Sequence, residues 1–304
     1  MRKAVVFWMF GPSVLLSVIA CEAPKKAKAP ASYTETIEGL TVPMVWIPAG
    51  RFEMGSRMSA EEVAMKYRGA AEDEGNLADE HPVHEVELDG FWLGKFEVTN
   101  RQYRKFQPGH DSGSFQGWGL NSDDQPVVEV SWTDAKAFCD WLSQKTGKTY
   151  TLPTEAQWEY ACRAGTTTER YWGDDDDRMG KYANTSDRTL KSDLGAKLPS
   201  SWVFAETTDG YVVSAPAGRF KPNAFGLYDM IGNVWEWCED WYDEKYYASS
   251  PLRNPTGPSV GSQRVLRGGS WGIGPESARS AYRCWFSPEG RVLFFGFRLA
   301  RNQK

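Results

Sequence analysis

The sequence predicts a single loop-heavy domain of short strands and short helices held together by aromatic packing. Three observations lead there. Fourteen Trp, fifteen Phe and thirteen Tyr make the 304-residue chain aromatic-rich. Twenty-nine Gly and seventeen Pro break it into short segments rather than long helices. No internal repeat or domain linker follows Tyr33, and the length suffices for one large core.

The elements follow in chain order. Residues 44–54 (MVWIPAGRFEM) read as a strand, a Pro-Ala-Gly turn and a second strand. Ser59 and Glu62 form a capping box that opens a helix running to about Arg68, and the polar stretch 70–80 is a loop. Val86 and Leu88 alternate with acids, the period of a half-buried strand, and Asp89-Gly90 turns it into Phe91, Trp92 and Leu93. Thr99 and Gln102 form another capping box, with Tyr103 and Phe106 on one face of a short helix. Ser131 to Asp134 starts a helix whose Ala135, Phe138 and Leu142 make an apolar stripe, and Gly147 is its stop. Thr154 caps the next helix through Gln157, Trp158 and Cys162 share its face, and Gly165 ends it. Regular signals thin out from Thr166, and 174–177 (DDDD) reads as a solvated acidic loop, with loose calcium binding as the alternative.

The N-terminus carries an address. Arg2 and Lys3 precede an apolar run over 4–16, and Val18-Ile19-Ala20-Cys21 closes the segment. This is a secretory signal peptide over 1–20, too short for a transmembrane helix. Its ending resembles a bacterial lipobox, in which Cys21 becomes the lipidated first residue. Residues 21–33 are then the lipidated Cys and a flexible Pro/Ala/Lys tether, and 34–304 are the domain. The expectation is an envelope lipoprotein, secreted across the inner membrane and anchored to the membrane by lipid, in the periplasm or at the outer membrane. A net charge of −5 leaves no basic footprint for nucleic acid. Cys139, Cys162, Cys238 and Cys284 permit two disulfides in an oxidising compartment, and buried thiols are equally natural at Cys139 and Cys162.

The most informative stretch is 226–242, GLYDMIGNVWEWCEDWY, followed by RGGSW over 267–271 and GFRLA over 296–300. Three indoles in seven positions lie among Asp229, Glu236, Glu239 and Asp240. Rings and acids are reconciled by a hard cation or a dense polar network. Further blocks precede them in order: WIPAG (46–50) with Phe52, Met54 and Gly55; EHP (80–82); EVTN (97–100); Pro126-Val127 with Val130-Ser-Trp132; and LPTEAQWEYA (152–161). Together these blocks resemble the formylglycine-generating enzyme (sulfatase-modifying factor) family, from about Met44 to Arg301. The resemblance implies an α+β single domain of low regular secondary structure, a variant of the C-type lectin fold. It also implies two calcium sites: Asn184, Thr185, Asp209 and Tyr211 at the first, Asp229, Gly232, Val234 and Glu236 at the second. At the first, the segment 186–208 is longer than is usual in the enzyme. At the second, carboxylates at positions 1 and 8 flank a glycine turn whose carbonyls can point inward, which suits calcium on chemical grounds too.

The family's enzyme oxidises a substrate cysteine to formylglycine with two thiols that hold Cu(I), a soft ion that needs soft ligands. The resemblance puts those thiols at Ile273 and at or near Ala278, and neither is Cys. Copper chemistry is therefore not expected. Ser270, the motif serine, remains, and Cys284 follows Tyr282-Arg283 where the family has a structural cysteine. His81 and His84 read as a turn and a strand-edge histidine rather than ligands. The expected function is recognition of a peptide or protein partner in the envelope, through a cleft near Ser270, Trp271, Arg283, Cys284 and Trp285. The rival is a metal-dependent oxidoreductase with non-standard ligands, acting on a peptide or peptide-derived substrate.

Overall fold

The computed structural model describes residues 32–37, 39–67 and 77–302. The signal peptide, Cys21 and the tether up to residue 31 lie outside the described residues. Ser32 and Tyr33, assigned to the tether by sequence, already belong to β1 (Ser32–Ile37), so the domain starts two residues earlier.

β1 is an edge strand, and its burial alternates in the way a half-exposed strand requires. It pairs antiparallel with β2 (Leu40–Ile47), putting Tyr33 opposite Met44. The 44–54 reading is right about two strands and a turn, yet β2 does not pair with β3 (Gly50–Met54). β3 pairs with β4 (His84–Leu88), and β2 pairs with β5 (Phe91–Gly94). Asp89-Gly90 accordingly passes the chain between two sheets instead of closing a hairpin. Gly90 is needed there because a Cβ would meet the Trp46 ring at 2.3 Å.

The predicted capping boxes form. They open α1 (Ala60–Lys66), α2 (Asn100–Tyr103), α3 (Trp132–Thr146) and α4 (Glu155–Arg163) through Ser59, Thr99, Ser131 and Thr154. Ala135, Phe138 and Leu142 of α3 are fully buried, and Gly147 closes it at φ 68°. In α4 the left-handed cap is Ala164 at φ 45°, one residue before the glycine expected to stop it. Asp175 caps a 3-10 turn over Asp176–Lys181, so the acidic run is part of the framework and not simply a loop. α5 (Arg188–Leu194), capped by Asp187, lies where regular signals thin out. Its apolar content is small, but Leu190 and Leu194 are both buried.

A two-residue hairpin, β6 (Ser114–Phe115) with β7 (Trp118–Gly119), precedes the second sheet. That sheet runs β10 (Arg283–Phe286), β9 (Arg264–Arg267), β8 (Trp235–Trp241), β11 (Phe295–Gly296), with β11 parallel to β8. β12 (Ala300–Asn302) returns the chain to β5 in the first sheet. Apolar cores of Trp, Phe, Leu and Val join these layers, and arginines cross them. Arg170, Arg267, Arg279 and Arg298 are among the largest fully buried side chains. Each is matched by carboxylates or carbonyls, as a buried charge must be. Cys139, Cys162, Cys238 and Cys284 are all thiols, the first three buried. Among the described residues no helix is long and apolar enough to cross a membrane.

Candidate functional site: a calcium-type framework and an aromatic groove

β8 explains how rings and acids share one segment. Trp237 points into the core, and its Nε1–H donates to the Val130 carbonyl at 3.0 Å. Glu236 accepts from Arg298 Nε and Nη2, both at 2.6 Å, and from Trp158 Nε1–H at 2.7 Å. Arg298 also donates to the carbonyls of Gly94 and Tyr228. Glu97, which sequence did not single out, joins this group by accepting from Asn233 Nδ2 at 2.7 Å and from Val234 N at 3.2 Å. Its EVTN motif was visible; its proximity to a segment more than a hundred residues away was not. Three buried carboxylates, Glu97, Asp229 and Glu236, thus act on one guanidinium. Burial, with Asp229 and Glu236 as like charges, pushes Glu97 well above the usual carboxylate range. Burial pushes Asp229 up to about 6 against the pull of Gly218 N–H and Arg298.

The first predicted calcium group also comes together. Asp209 accepts from Thr185 N at 3.0 Å and Tyr211 N at 2.8 Å, joining residues far apart in sequence. Asp187, also not singled out beforehand, accepts from Asp209 N at 2.5 Å. Burial, and then the Asp187 charge, push Asp209 up to about 8. Asn184 donates to the Val213 carbonyl, whereas its buried Oδ1 has no hydrogen-bond partner. The two groups touch, since Asn233 N donates to the Asn184 carbonyl at 2.8 Å. A Cβ on Gly232, at φ 81°, would lie 2.2 Å from that same carbonyl oxygen.

A hard cation fits the first group chemically. The orphaned Asn184 Oδ1 is an oxygen donor held in place, and each Asp209 oxygen has a lone pair beyond its backbone bond. At the second group Asp229 Oδ1 is likewise buried and unpartnered. Glu236 departs from the expectation of two carboxylates facing one ion. Its Oε2 is filled by two donors, and only Oε1 keeps a lone pair. The bidentate pair with Arg298 neutralises the Glu236 charge.

Ile273, half-buried, and Ala278, the positions to which the resemblance assigns the thiols, both pack against the core. A Cβ on Gly269 would lie 2.4 Å from Ile273 Cδ1, so the isoleucine fills the space beside that glycine. Ala278 is fully buried, and its carbonyl accepts from Arg170 Nε at 2.7 Å. The same guanidinium binds the Pro275 carbonyl at 2.7 Å. Cys162, the nearby thiol, contacts Ser280 Oγ at 3.6 Å, and burial pushes it up to about 12. It is not an activated thiolate.

The expected cleft needs correction. Ser270 and Trp271 are each 1% exposed and Arg283 2%, because the chain uses them as interior packing. Arg283 pairs with Glu155 at 2.7 Å and lies over the Tyr242 and Tyr247 rings. Trp285 packs on Tyr242 at 5.5 Å, and Cys284 is half-buried on β10. His84 bonds the Pro82 carbonyl through Nδ1 and packs on Tyr247, which matches its strand-edge reading. A cluster of half-buried rings lies around Gly272. Half-buried Phe115, Trp202 and Phe294 surround it, with Trp271 beneath. No motif contains Phe115 or Trp202, so sequence offered no signal for them.

A loop-rich α+β domain with two four-stranded and two two-stranded sheets, and with GLYDMIGNVWEW and GFR meeting through Glu236 and Arg298, defines the formylglycine-generating-enzyme variant of the C-type lectin fold. The chain belongs to the FGE-sulfatase family: residues 31–303 match the sulfatase-modifying factor enzyme 1-like domain. It is 33% identical to the formylglycine-generating enzyme of Streptomyces coelicolor over 93% of this chain and 97% of that protein. The solved structure of PvdO from Pseudomonas aeruginosa is similar with TM-score 0.71 and 29% identity, covering 91% of this chain and 100% of that one. Treponema denticola variable protein 1 is similar with TM-score 0.69 and 26% identity, covering 90% of this chain and 100% of that one.

Proposed function

We propose that this chain is an envelope lipoprotein, anchored through Cys21, whose formylglycine-generating-enzyme-like domain is a calcium-stabilised binding module for a peptide or protein partner. The observation that carries the reading is the pair Ile273 and Ala278. Two thiolates are needed to hold Cu(I), and these positions offer a methyl-filled core contact and a carbonyl tied to Arg170. The scaffold around them persists, and half-exposed rings at Gly272 supply the contact area that recognition uses. Calcium at the Asn184–Asp209 group is supported by the unpartnered Asn184 oxygen and by the crowding of Asp209 against Asp187. Its role would be to neutralise that charge and fix the loops that frame the groove.

Metal analysis and one activity assay test this reading. The purified mature protein should carry calcium and no stoichiometric copper or iron. Incubated with Cu(I), oxygen and a cysteine-containing sulfatase peptide, it should leave the peptide mass unchanged. Stoichiometric copper or iron, or conversion of the cysteine to formylglycine, would overturn the proposal in favour of an oxidoreductase.

A further inference from the structure

We infer that the corner of the first sheet bearing Tyr33, Trp46, Trp92 and Arg301 rests on the anionic phospholipid surface that holds the chain's own lipid anchor. The inference rests on the proposed anchoring through Cys21 and adds which face of the domain meets the membrane.

One end of that sheet gathers rings and a cation on one face. Trp46 of β2 lies opposite Trp92 of β5, and Trp92 lies opposite Arg301 of β12. Tyr33 of β1 lies opposite Met44, two residues from Trp46, so it falls on the same face. The rings touch: Tyr33 and Trp92 meet edge-on at 4.6 Å, and Trp46 and Trp92 at 5.3 Å. All three are half-buried rather than sealed in the core. Arg301 lies over the Tyr33 and Trp92 rings at 5.4 and 5.6 Å. It gives its Nε–H to the Tyr33 hydroxyl at 3.1 Å and forms no ion pair among the described residues. Glu35, the acid of this corner, is already held by Lys148 Nζ at 2.6 Å and the Tyr150 hydroxyl at 2.7 Å. Arg301 therefore leaves the corner positive.

The anchoring stretch joins the domain at this same corner. Residues 21–31, from the cysteine to the start of β1, reach at most about 40 Å when fully extended. A compact domain of about 270 residues has a radius of gyration of about 18 Å, so its far side can lie beyond that reach while the corner cannot. The chain as a whole, at net charge −5, is repelled by an anionic surface, so attraction has to be local. Lys25, Lys26 and Lys28 stand in the anchoring stretch, and each Lys or Arg near anionic lipid strengthens attachment about fivefold. Indole and phenol rings favour the headgroup level, where an apolar body and a polar N–H or O–H are both accommodated. A guanidinium lying on those rings offers its remaining N–H groups to lipid phosphates.

Hydroxyl-radical footprinting of the mature, lipidated chain tests the contact. The chain is reconstituted in phosphatidylcholine vesicles and in vesicles that also contain phosphatidylglycerol, and oxidation of each tryptophan is read by mass spectrometry. Trp46 and Trp92 should react at least about threefold more slowly on the anionic vesicles, whereas Trp118 on the β6–β7 hairpin should not change. Arg301→Gln should remove most of that difference and leave the chain on the vesicles. Should that variant not fold, about 1 M NaCl should remove the difference in wild type, because the Debye length falls to about 3 Å. Equal oxidation on the two vesicles would overturn the inference, including the case in which a second copy of the chain covers both indoles on either lipid. A difference that Trp118 shares, or that survives the loss of the charge, would overturn it too. A purified chain without lipid on Cys21 removes the anchor reading and this inference together, whereas an anchored chain with unprotected indoles removes this inference alone.

Discussion

Arg298 and Glu236 hold the segment 226–242 against the C-terminal strand, with two hydrogen bonds of 2.6 Å between fully buried side chains. Removing one member of such a pair leaves an uncompensated charge, which costs about 3–5 kcal/mol. Arg298→Met should therefore lower unfolding stability by about that amount in denaturant titrations, and a loss below about 1 kcal/mol would mean the pair is not holding the blocks together. Asp79 gives a second test. Burial pushes it up to about 7, against the pull of Arg283 and the Tyr242 hydroxyl. The folded protein then keeps a proton that the unfolded chain releases at the ordinary value of 3.8. Stability from this group consequently falls as pH rises from about 4 to about 7 and is level above. Asp79→Asn should flatten the melting temperature across that window and raise it at pH 8; a variant as pH-dependent as wild type would refute the assignment.

At the scale of elements, helix starts were the most readable feature. Ser131 and Thr154 each accept from the backbone three residues on, and Asp134 and Gln157 return the bond. Ser131→Ala should cost about 1 kcal/mol through the orphaned N–H groups of α3, measured by chemical denaturation. Strand existence was readable too, because alternation is local. Pairing was not. β2 and β3 are joined by a turn yet belong to different sheets, and the same is true of β4 and β5. Nothing in either turn says which distant strand offers the complementary ladder. α5 was missed because its helix depends on the Asp187 cap and on two leucines finding a core made by residues elsewhere.

Over the whole molecule, acids gathered from three parts of the chain face too few cations. Glu97, Asp229 and Glu236 share Arg298, while Asp187 and Asp209 lie against each other. A bound divalent ion would relieve the second group, and binding only to the native state stabilises it by about 2.7 kcal/mol at a hundredfold excess over Kd. Chelation of the mature protein should then lower its melting temperature by roughly 5–10 °C, restored by added calcium. An unshifted transition across a chelator titration would remove calcium from the account.

The sequence by itself determined the family and the helix starts, since each is written in residue identity or in spacing within a few positions. Only the tertiary structure decided which of the singled-out residues are accessible. Ser270, Trp271 and Arg283 look like a recognition surface in sequence and prove to be interior, because Trp271 packs in a core with Leu120, Val128, Leu190 and Val234 while Arg283 pairs with Glu155 of α4. Phe115, Trp202 and Phe294 carry no motif and become one ring cluster, because burial and exposure depend on distant chain segments that no local pattern encodes.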